Sequence, residues 1–268
     1  MTSRLPAALV VAALLVGGAG LWYYQSSRVT VAPEPHEVVD GDWLEHLYSQ
    51  NPKVAEEAAR QLTEMGATAV PEIQEALQDP AEDAAKKKAA MKASGLLGPL
   101  AEPAVGDVAE HLPDPQFTEE AAVALSFMGR KAFAPLRKAA ASTDPVVRRE
   151  ALRSIGKLKE RAPLDAKAVV PLLLEALLDP DATVRTVAAT YLGIIHEEPA
   201  AAVPALVEAL KDEDATVRSA AASALGSFSP EAAKTALPAL RKAAGDRNED
   251  VAREAGVALV KLQSNERK

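Results

Sequence analysis

The sequence predicts an all-α protein: an α-solenoid of helical hairpins, preceded by one N-terminal transmembrane or signal helix. Three observations predict it: a composition rich in alanine and leucine, a helical motif that recurs about every 33 residues, and an uncharged apolar run near the N-terminus. Hydrophobic residues make up 48% of the 268 residues and aromatic residues only 4%, which favours helices that pack through small side chains.

The N-terminal segment, residues 1–24, is expected to enter a membrane. Its run from Leu5 to Tyr24 carries no charge and is long enough for a helical span. Three aromatic residues end the run, where their rings favour the lipid headgroup layer, and Arg28 follows as an interfacial anchor. The length and the aromatic end favour an uncleaved anchor.

A cleaved signal peptide is the alternative for this segment. Arg4 precedes the apolar centre, and the small residues Gly18 and Gly20 would permit processing after Gly20. The short N-terminus is expected to stay inside the cytoplasm and the large C-terminal body outside it. The chain is therefore expected to be a single-pass protein of a bacterial inner membrane with its body in the periplasm, or a secreted or periplasmic protein after cleavage.

The rest of the chain divides into a linker, a repeat array and a tail. Residues 25–39 lack helical periodicity and contain two prolines, so they predict a stiff, extended linker. Residues 40–262 predict a solenoid of about six to seven repeats. The array begins with a capping helix that carries Trp43, Leu44 and Leu47, and residues 263–268 form a polar tail.

The first helix of each repeat contains a Val-Arg pair followed by alanines. The clearest copies are DPDATVRTVAATYLG from Asp179 and DEDATVRSAAASALG from Asp212, and their apolar residues at i, i+3, i+4, i+7 and i+8 form one stripe. Aspartate favours turns and helix starts, and it precedes the copies at Asp144, Asp179 and Asp212. Glycine tolerates a left-handed cap, so we expect helices to end at Gly156, Gly193 and Gly226.

The second helix of each repeat carries a proline-containing motif such as AVPALVEAL from Ala202. Proline lacks the amide hydrogen that an interior helical position requires, so it is expected in the first turn. The prolines concerned are Pro71, Pro171, Pro204 and Pro238. One such hairpin cannot bury its apolar faces, whereas a stack of hairpins buries a continuous core.

The alternation of DxxxxVRxxAAxALG with VPxLxEAL resembles the HEAT-repeat family, in the short bacterial form that is similar to the HEAT-like repeats of phycobilisome bilin lyases. The resemblance covers Asn51 to Leu262, although the copies near Lys86 and Thr118 lack the Val-Arg pair. It implies a fold of stacked hairpins and no particular activity.

Arginines recur at one position of three copies, at Arg148, Arg185 and Arg218. We interpret them as a structural ladder, in which Arg185 and Arg218 pair with turn aspartates of neighbouring repeats such as Asp179 and Asp212. The alternative is a row of anion-binding arginines.

The sequence predicts no catalytic, cofactor-binding or metal site. There is no cysteine, and the four histidines include no i, i+4 pair of metal-ligand kind. Some HEAT-like enzymes resemble a dinuclear iron hydroxylase that needs several His-Glu dipeptides, but only His36-Glu37 and His196-Glu197 occur here. A HEAT-like enzyme, a bilin lyase or a metal hydroxylase, is therefore a disfavoured alternative.

Charge is distributed unevenly along the chain. The net charge of −8 and the pI near 5.2 argue against nucleic acid as a partner. Residues 31–83 have a net charge of −11, whereas residues 130–161 have a net charge of +7. The basic segment favours an acidic protein partner, bound near Arg148 and Arg149, or an anionic lipid. The alternative is two solvated faces.

The helix after Val169 is unusually apolar, and its Leu172 and Leu178 replace more polar or smaller residues of the other copies. We expect these leucines either to pack against neighbouring helices or to line a partner-binding groove on the second helices. The second helices are expected to form the inner face of the solenoid. Together the patterns predict a membrane-tethered, non-catalytic scaffold that binds other proteins. A structural component of a cell-envelope complex is the alternative.

Overall fold

The computed structural model describes residues 43–264, and all regular secondary structure in this range is helical. The helices are α1 (Trp43–His46), α2 (Pro52–Met65), α3 (Val70–Gln78), α4 (Ala84–Leu97), α5 (Val105–Glu110), α6 (Thr118–Leu125), α7 (Phe133–Ala139) and α8 (Pro145–Arg161). They continue with α9 (Ala166–Ala176), α10 (Ala182–Ile195), α11 (Pro199–Ala209), α12 (Ala215–Leu225), α13 (Pro230–Ala233), α14 (Leu237–Ala243) and α15 (Glu249–Ser264). The prediction of an all-helical fold is confirmed for this range.

The N-terminal segment 1–24, the linker 25–39 and most of the tail 263–268 lie outside the described residues. Within residues 43–264, no helix combines the length and the apolar character that a membrane crossing requires.

The described helices form six hairpins in two layers, with the short α1 packed against α2 and α4 at the start and α15 as a final single helix. The Val-Arg helices and their counterparts make one layer, which we call the inner layer: α2, α4, α6, α8, α10, α12 and α15. The second helices make the outer layer: α3, α5, α7, α9, α11 and α14, with the short α13 leading into α14. A hydrophobic core runs without interruption between the layers from Trp43 to Leu262.

The inner layer lies on the concave side of the stack. From α4 onward, its helices contact their successive neighbours far more extensively than the outer-layer helices do. A stack whose members lie closer together on one side curves toward that side. The expectation that the second helices form the inner face was therefore wrong, because alanine and glycine bring the Val-Arg helices closer together.

Glycines inside the inner-layer helices permit this spacing. Gly156 and Gly193 lie within α8 and α10, and neither has a positive φ. A Cβ atom at Gly193 would lie 2.6 Å from the Cα atom of Ala224, and one at Gly156 would collide with the Tyr191 ring. The predicted left-handed caps were therefore wrong, also at Gly226, which ends α12 with φ −70°. These glycines are needed for close helix contact.

The positions of the prolines also differ from expectation in two hairpins. Pro71 and Pro238 lie in the first turns of α3 and α14, as predicted. Pro171 and Pro204 lie inside α9 and α11, because both helices begin about one turn earlier. Each of these two prolines removes one backbone hydrogen bond from its helix.

Aspartates cap the starts of several inner-layer helices, and Asp179 and Asp212 lie in the preceding turns. Asp144 caps α8, and its side chain accepts a hydrogen bond from the Val146 amide at 2.8 Å. Asp181 and Asp214, not Asp179 and Asp212, cap α10 and α12. The side chains of Asp179 and Asp212 are therefore available for another role.

Candidate protein-binding surface

An arginine ladder joins the last four inner-layer helices. Each arginine donates two hydrogen bonds to the aspartate in the turn before the next inner-layer helix: Arg148 to Asp179 at 2.7 and 2.8 Å, Arg185 to Asp212 at 2.8 Å twice, and Arg218 to Asp246 at 2.9 and 3.0 Å. This fork-to-fork geometry matches guanidinium to carboxylate. The ladder therefore links each repeat to the next.

The same arginines also hold the turns of their own repeats. The Nη1 atom of Arg185 donates to the carbonyls of Asp179 at 2.9 Å and Pro180 at 3.1 Å, and Arg148 and Arg218 make equivalent bonds. Each ladder guanidinium thus fixes two successive turns. Asp246 was not predicted as a member of the ladder, although it lies two residues before Asn248 just as Asp212 lies two residues before the cap Asp214.

The ladder keeps its carboxylates ionised. The Arg218 guanidinium and the Asn248 amide hold the pKa of Asp246 below its ordinary value of 3.8. Burial alone would raise the pKa of Asp212, but hydrogen bonds from Arg185 and the Asp214 amide outweigh it and lower that pKa.

Asp246→Asn is expected to reduce stability at neutral pH by about 1 kcal/mol and to have less effect in acid. A carboxylate whose pKa is lowered by folding contributes stability that is fully present above its unfolded pKa and is lost as the pH falls through the folded value. The difference between wild type and variant should therefore shrink below about pH 4. Urea denaturation from neutral to acidic pH measures it, and a difference that stays constant over that range would contradict a titrating ladder.

The ladder changes the interpretation of Arg148. We predicted it as part of a partner-binding surface, but its side chain is only 14% exposed and Asp179 already compensates its charge. Its remaining donor group holds the carbonyls of Ser142 and Thr143. Arg148 is therefore assigned to the ladder, and reversing its charge would disturb folding instead of reporting on a partner.

A basic stripe of four residues crosses the exposed side of α8: Arg149, Arg153, Lys157 and Arg161. Each step of four residues advances about 40° around a helix, so the stripe winds from the α10 side toward the α6 side. The buried carboxylate of Glu150 accepts from Arg149 at 2.8 Å and from Arg153 at 3.3 Å. This shared carboxylate orients two guanidinium groups and neutralises only one of them.

A groove between α4 and α6 adjoins the stripe, and we call it the apolar groove. It has a volume of about 390 Å³ and is lined by Tyr48, Lys92, Leu96, Val123 and Phe127, with Glu119 and Glu120 also contributing. The Lys92 ammonium group donates to the Leu47 carbonyl at 2.8 Å and lies 4.7 Å from the centre of the Tyr48 ring. Burial lowers the pKa of Lys92.

A second groove lies between α8 and α10, and we call it the hydroxyl groove. It has a volume of about 310 Å³, and the start of α12 closes one end of it. Its polar lining consists of Arg149, Arg153, Thr183, Thr186, Asp214 and Thr216. Since α4, α6, α8 and α10 all belong to the inner layer, both grooves lie on that layer.

Leu172 and Leu178 occupy different environments in the outer layer. Leu172 in α9 is half-buried and packs against the core, whereas Leu178, just after α9, is 86% exposed. Neither lines the two grooves of the inner layer. Leu178 remains an isolated exposed leucine on the opposite layer.

Two of the three histidines in the described part of the chain make local contacts with backbone carbonyls. His111 Nε2 lies 3.1 Å from the Leu77 carbonyl, and His196 ends α10 in a left-handed conformation with φ 38°. His36 lies outside residues 43–264. Within that range, no group of three or more histidine, aspartate and glutamate side chains is arranged to hold a metal ion.

Comparison with solved structures shows the solenoid fold. Importin beta superposes with a TM-score of 0.60 at 17% identity, over 84% of this chain and 33% of importin beta. YibA of Escherichia coli superposes with a TM-score of 0.54 at 19% identity, over 84% of this chain and 85% of YibA. The CpcE–CpcF complex of phycocyanin lyase from Nostoc sp. PCC7120 gives a TM-score of 0.39 at 20% identity, over 87% and 100% of the chains.

Family models match the repeats directly. The model for HEAT repeats matches residues 102–193, 133–226 and 170–261, and the model for the PBS lyase HEAT-like repeat matches residues 54–79. No curated protein matches the chain. The overlapping matches span residues 102–261, which is more than half of the sequence, and the same residues form the stacked hairpins and the arginine ladder. The chain therefore belongs to the HEAT-repeat family.

Proposed function

We propose that this chain is a membrane-tethered, non-catalytic scaffold that binds protein partners on its inner layer. The observation that carries the proposal is the exposed side of α4, α6, α8 and α10, where the apolar groove, the basic stripe and the hydroxyl groove lie side by side. The continuous core beneath all three, and the ladder that joins the inner-layer helices from α8 onward, support a preformed surface. Solenoids bind through extended concave surfaces of this kind.

The membrane tether is part of the proposal and rests on the sequence. The uncharged run from Leu5 to Tyr24 with its aromatic end supports a single-pass anchor, and residues 25–39 would separate it from the body. We place the body in the periplasm of a bacterium. Cleavage after Gly20 would instead release a periplasmic or secreted protein.

Site-specific photocrosslinking of the full chain in cells tests the binding surface. A photoreactive residue at Val123 or Thr190, both exposed on the inner layer, should crosslink to one and the same partner protein. The matched position is Leu178, which is more exposed but lies on the outer layer. Crosslinks from Leu178 alone would contradict binding on the inner layer.

The same cells test the remaining parts of the proposal. The crosslinked chain should sediment with membranes, and deletion of Leu5–Tyr24 should remove it from that fraction. A stable, stoichiometric complex would favour the structural component of a cell-envelope assembly over a scaffold that recruits partners transiently. A stoichiometric metal ion or bound bilin in the purified protein would overturn the non-catalytic assignment.

A further inference from the structure

We infer that the inner layer binds one chemical class of partner: an extended acidic segment of a protein that also carries a large apolar side chain. This inference rests on the proposed function, because it specifies the partner of the same surface. Its support comes from the order in which apolar, basic and uncharged polar side chains follow one another across α4, α6, α8 and α10.

The apolar groove supplies the anchor site. Val123 is 38% exposed and Tyr48 43% exposed, and with Leu96 and Phe127 they line one concavity. Its volume of about 390 Å³ accommodates an aromatic or branched aliphatic side chain. Such buried anchors contribute most of the binding energy in protein interfaces.

The basic stripe supplies the charge complement. From Arg149 to Arg161 it extends about 18 Å along α8, which matches about five residues of an extended chain. Glu150 offsets one of the four cationic charges and Glu160 lies on the same helix, so the stripe keeps a positive excess. An acidic segment gains from this charge both by faster encounter and by paired carboxylates.

The two sites are contiguous, which sets the order of residues in the partner. The Arg161 guanidinium lies 4.1 Å from the centre of the Phe127 ring, so the end of the stripe covers the wall of the apolar groove. Glu119 and Glu120 are part of the same groove, and Glu120 is already paired with Lys88. Glu119 is therefore the carboxylate that disfavours acidic residues there, and the carboxylates of the partner are expected on the α8 side of its apolar residue.

Beyond the stripe, the Asp214 carboxylate lines the hydroxyl groove, so further acidic residues of the partner are not favoured there. The hydroxyl groove presents Thr183 and Thr186, and Thr190 continues that row on α10. The equivalent row on α12 consists of Thr216, Ser219 and Ser223. The hydroxyl groups of Thr183, Thr186 and Thr190 already donate to the Asp181 carboxylate and to the Ala182 and Thr186 carbonyls. They can therefore accept hydrogen bonds from the amides of an extended backbone regardless of its sequence. Specificity is therefore concentrated between α4 and α8.

Binding of designed peptides to the full chain in mild detergent tests the inference. The probe is a fluorescent peptide of about ten residues with one tryptophan followed by glutamates, long enough to span the stripe and the apolar groove. Two matched peptides replace the glutamates by lysines or the tryptophan by alanine. Fluorescence anisotropy should show binding of the first peptide that weakens with salt, and at least about tenfold weaker binding of the other two.

Charge-reversal variants test whether the acidic peptide binds at the basic stripe. Arg153→Glu combined with Lys157→Glu should weaken binding of the acidic peptide at least about tenfold. Arg137→Glu combined with Lys138→Glu makes the same charge change on exposed outer-layer positions of α7 and should leave binding unchanged. Val123→Asp, at an exposed position of the apolar groove, should weaken binding without changing the stripe. Circular dichroism melting confirms that each variant is folded.

The outcomes separate this inference from the proposed function. Equal binding of the acidic and basic peptides, no measurable binding of the acidic peptide, or equal effects of the two charge-reversal pairs would overturn the acidic partner. Crosslinks from Val123 and Thr190 in cells would then still support a protein-binding inner layer with a partner of other chemistry. Loss of those crosslinks would remove the proposed function itself.

Discussion

Gly193→Ala is expected to lower the free energy of unfolding by about 2 to 3 kcal/mol, although alanine is normally the better helical residue. The new Cβ atom would lie 2.6 Å from the Cα atom and 2.7 Å from the Cβ atom of Ala224. Ala224 presents backbone at this point, so the contact can be relieved only by moving α10 and α12 apart. That movement would disturb the core that both helices share. Urea denaturation of the purified protein measures the effect.

Gly256→Ala is the matched control for this prediction. Gly256 lies in the interior of α15, and a Cβ atom there would meet nothing within 4 Å. Alanine should therefore stabilise the helix by about 0.5 to 1 kcal/mol. If both variants changed stability in the same direction by similar amounts, glycine at Gly193 would not be needed for helix contact.

Arg185→Met is expected to lower the free energy of unfolding by about 3 kcal/mol. Arg185 is 8% exposed, and its loss would leave the Asp212 carboxylate without its cation and the carbonyls of Asp179 and Pro180 without their donor. The effect should exceed that of a surface ion pair, because water cannot fully solvate the remaining groups. Chemical denaturation measures it.

A double-mutant cycle separates the ion pair from the other bonds of Arg185. Asp212→Asn keeps the side-chain oxygen that accepts from the Asp214 amide at 2.8 Å but removes the charge. The double variant should therefore be more stable than the sum of the two single changes predicts. Arg253→Met is the control, since Arg253 pairs with Asp250 within α15 and both are exposed. An effect of Arg185→Met as small as that of Arg253→Met would contradict the ladder.

Much of the fold could be predicted because its signals are local and repeated. The stripe of Val184, Val187 and Ala188 marks a helix with one buried face, and its recurrence around Val217 marks the next hairpin. The recurrence of arginine and aspartate at fixed positions likewise indicated a ladder. A periodic sequence places equivalent residues in equivalent surroundings, so pairs such as Arg185 and Asp212 could be proposed without coordinates.

The roles of single residues were harder to predict where they depend on a neighbouring helix. Gly193 has the sequence position of a cap, but the distance to Ala224 determines its role. Pro171 has the sequence position of a first turn, but α9 begins earlier. Arg148 and Arg149 are adjacent in sequence, yet one is paired with Asp179 and the other borders a groove.

By itself, the sequence determined the helical hairpins, their period, their family and the uneven charge along the chain. Only the tertiary structure decided that the Val-Arg helices form the inner layer, and that the basic stripe of α8 lies between two grooves while Arg148 belongs to the ladder. The physical reason is that hydrophobic periodicity acts within one helix, whereas curvature and the exposure of a charge depend on how closely the next helix packs.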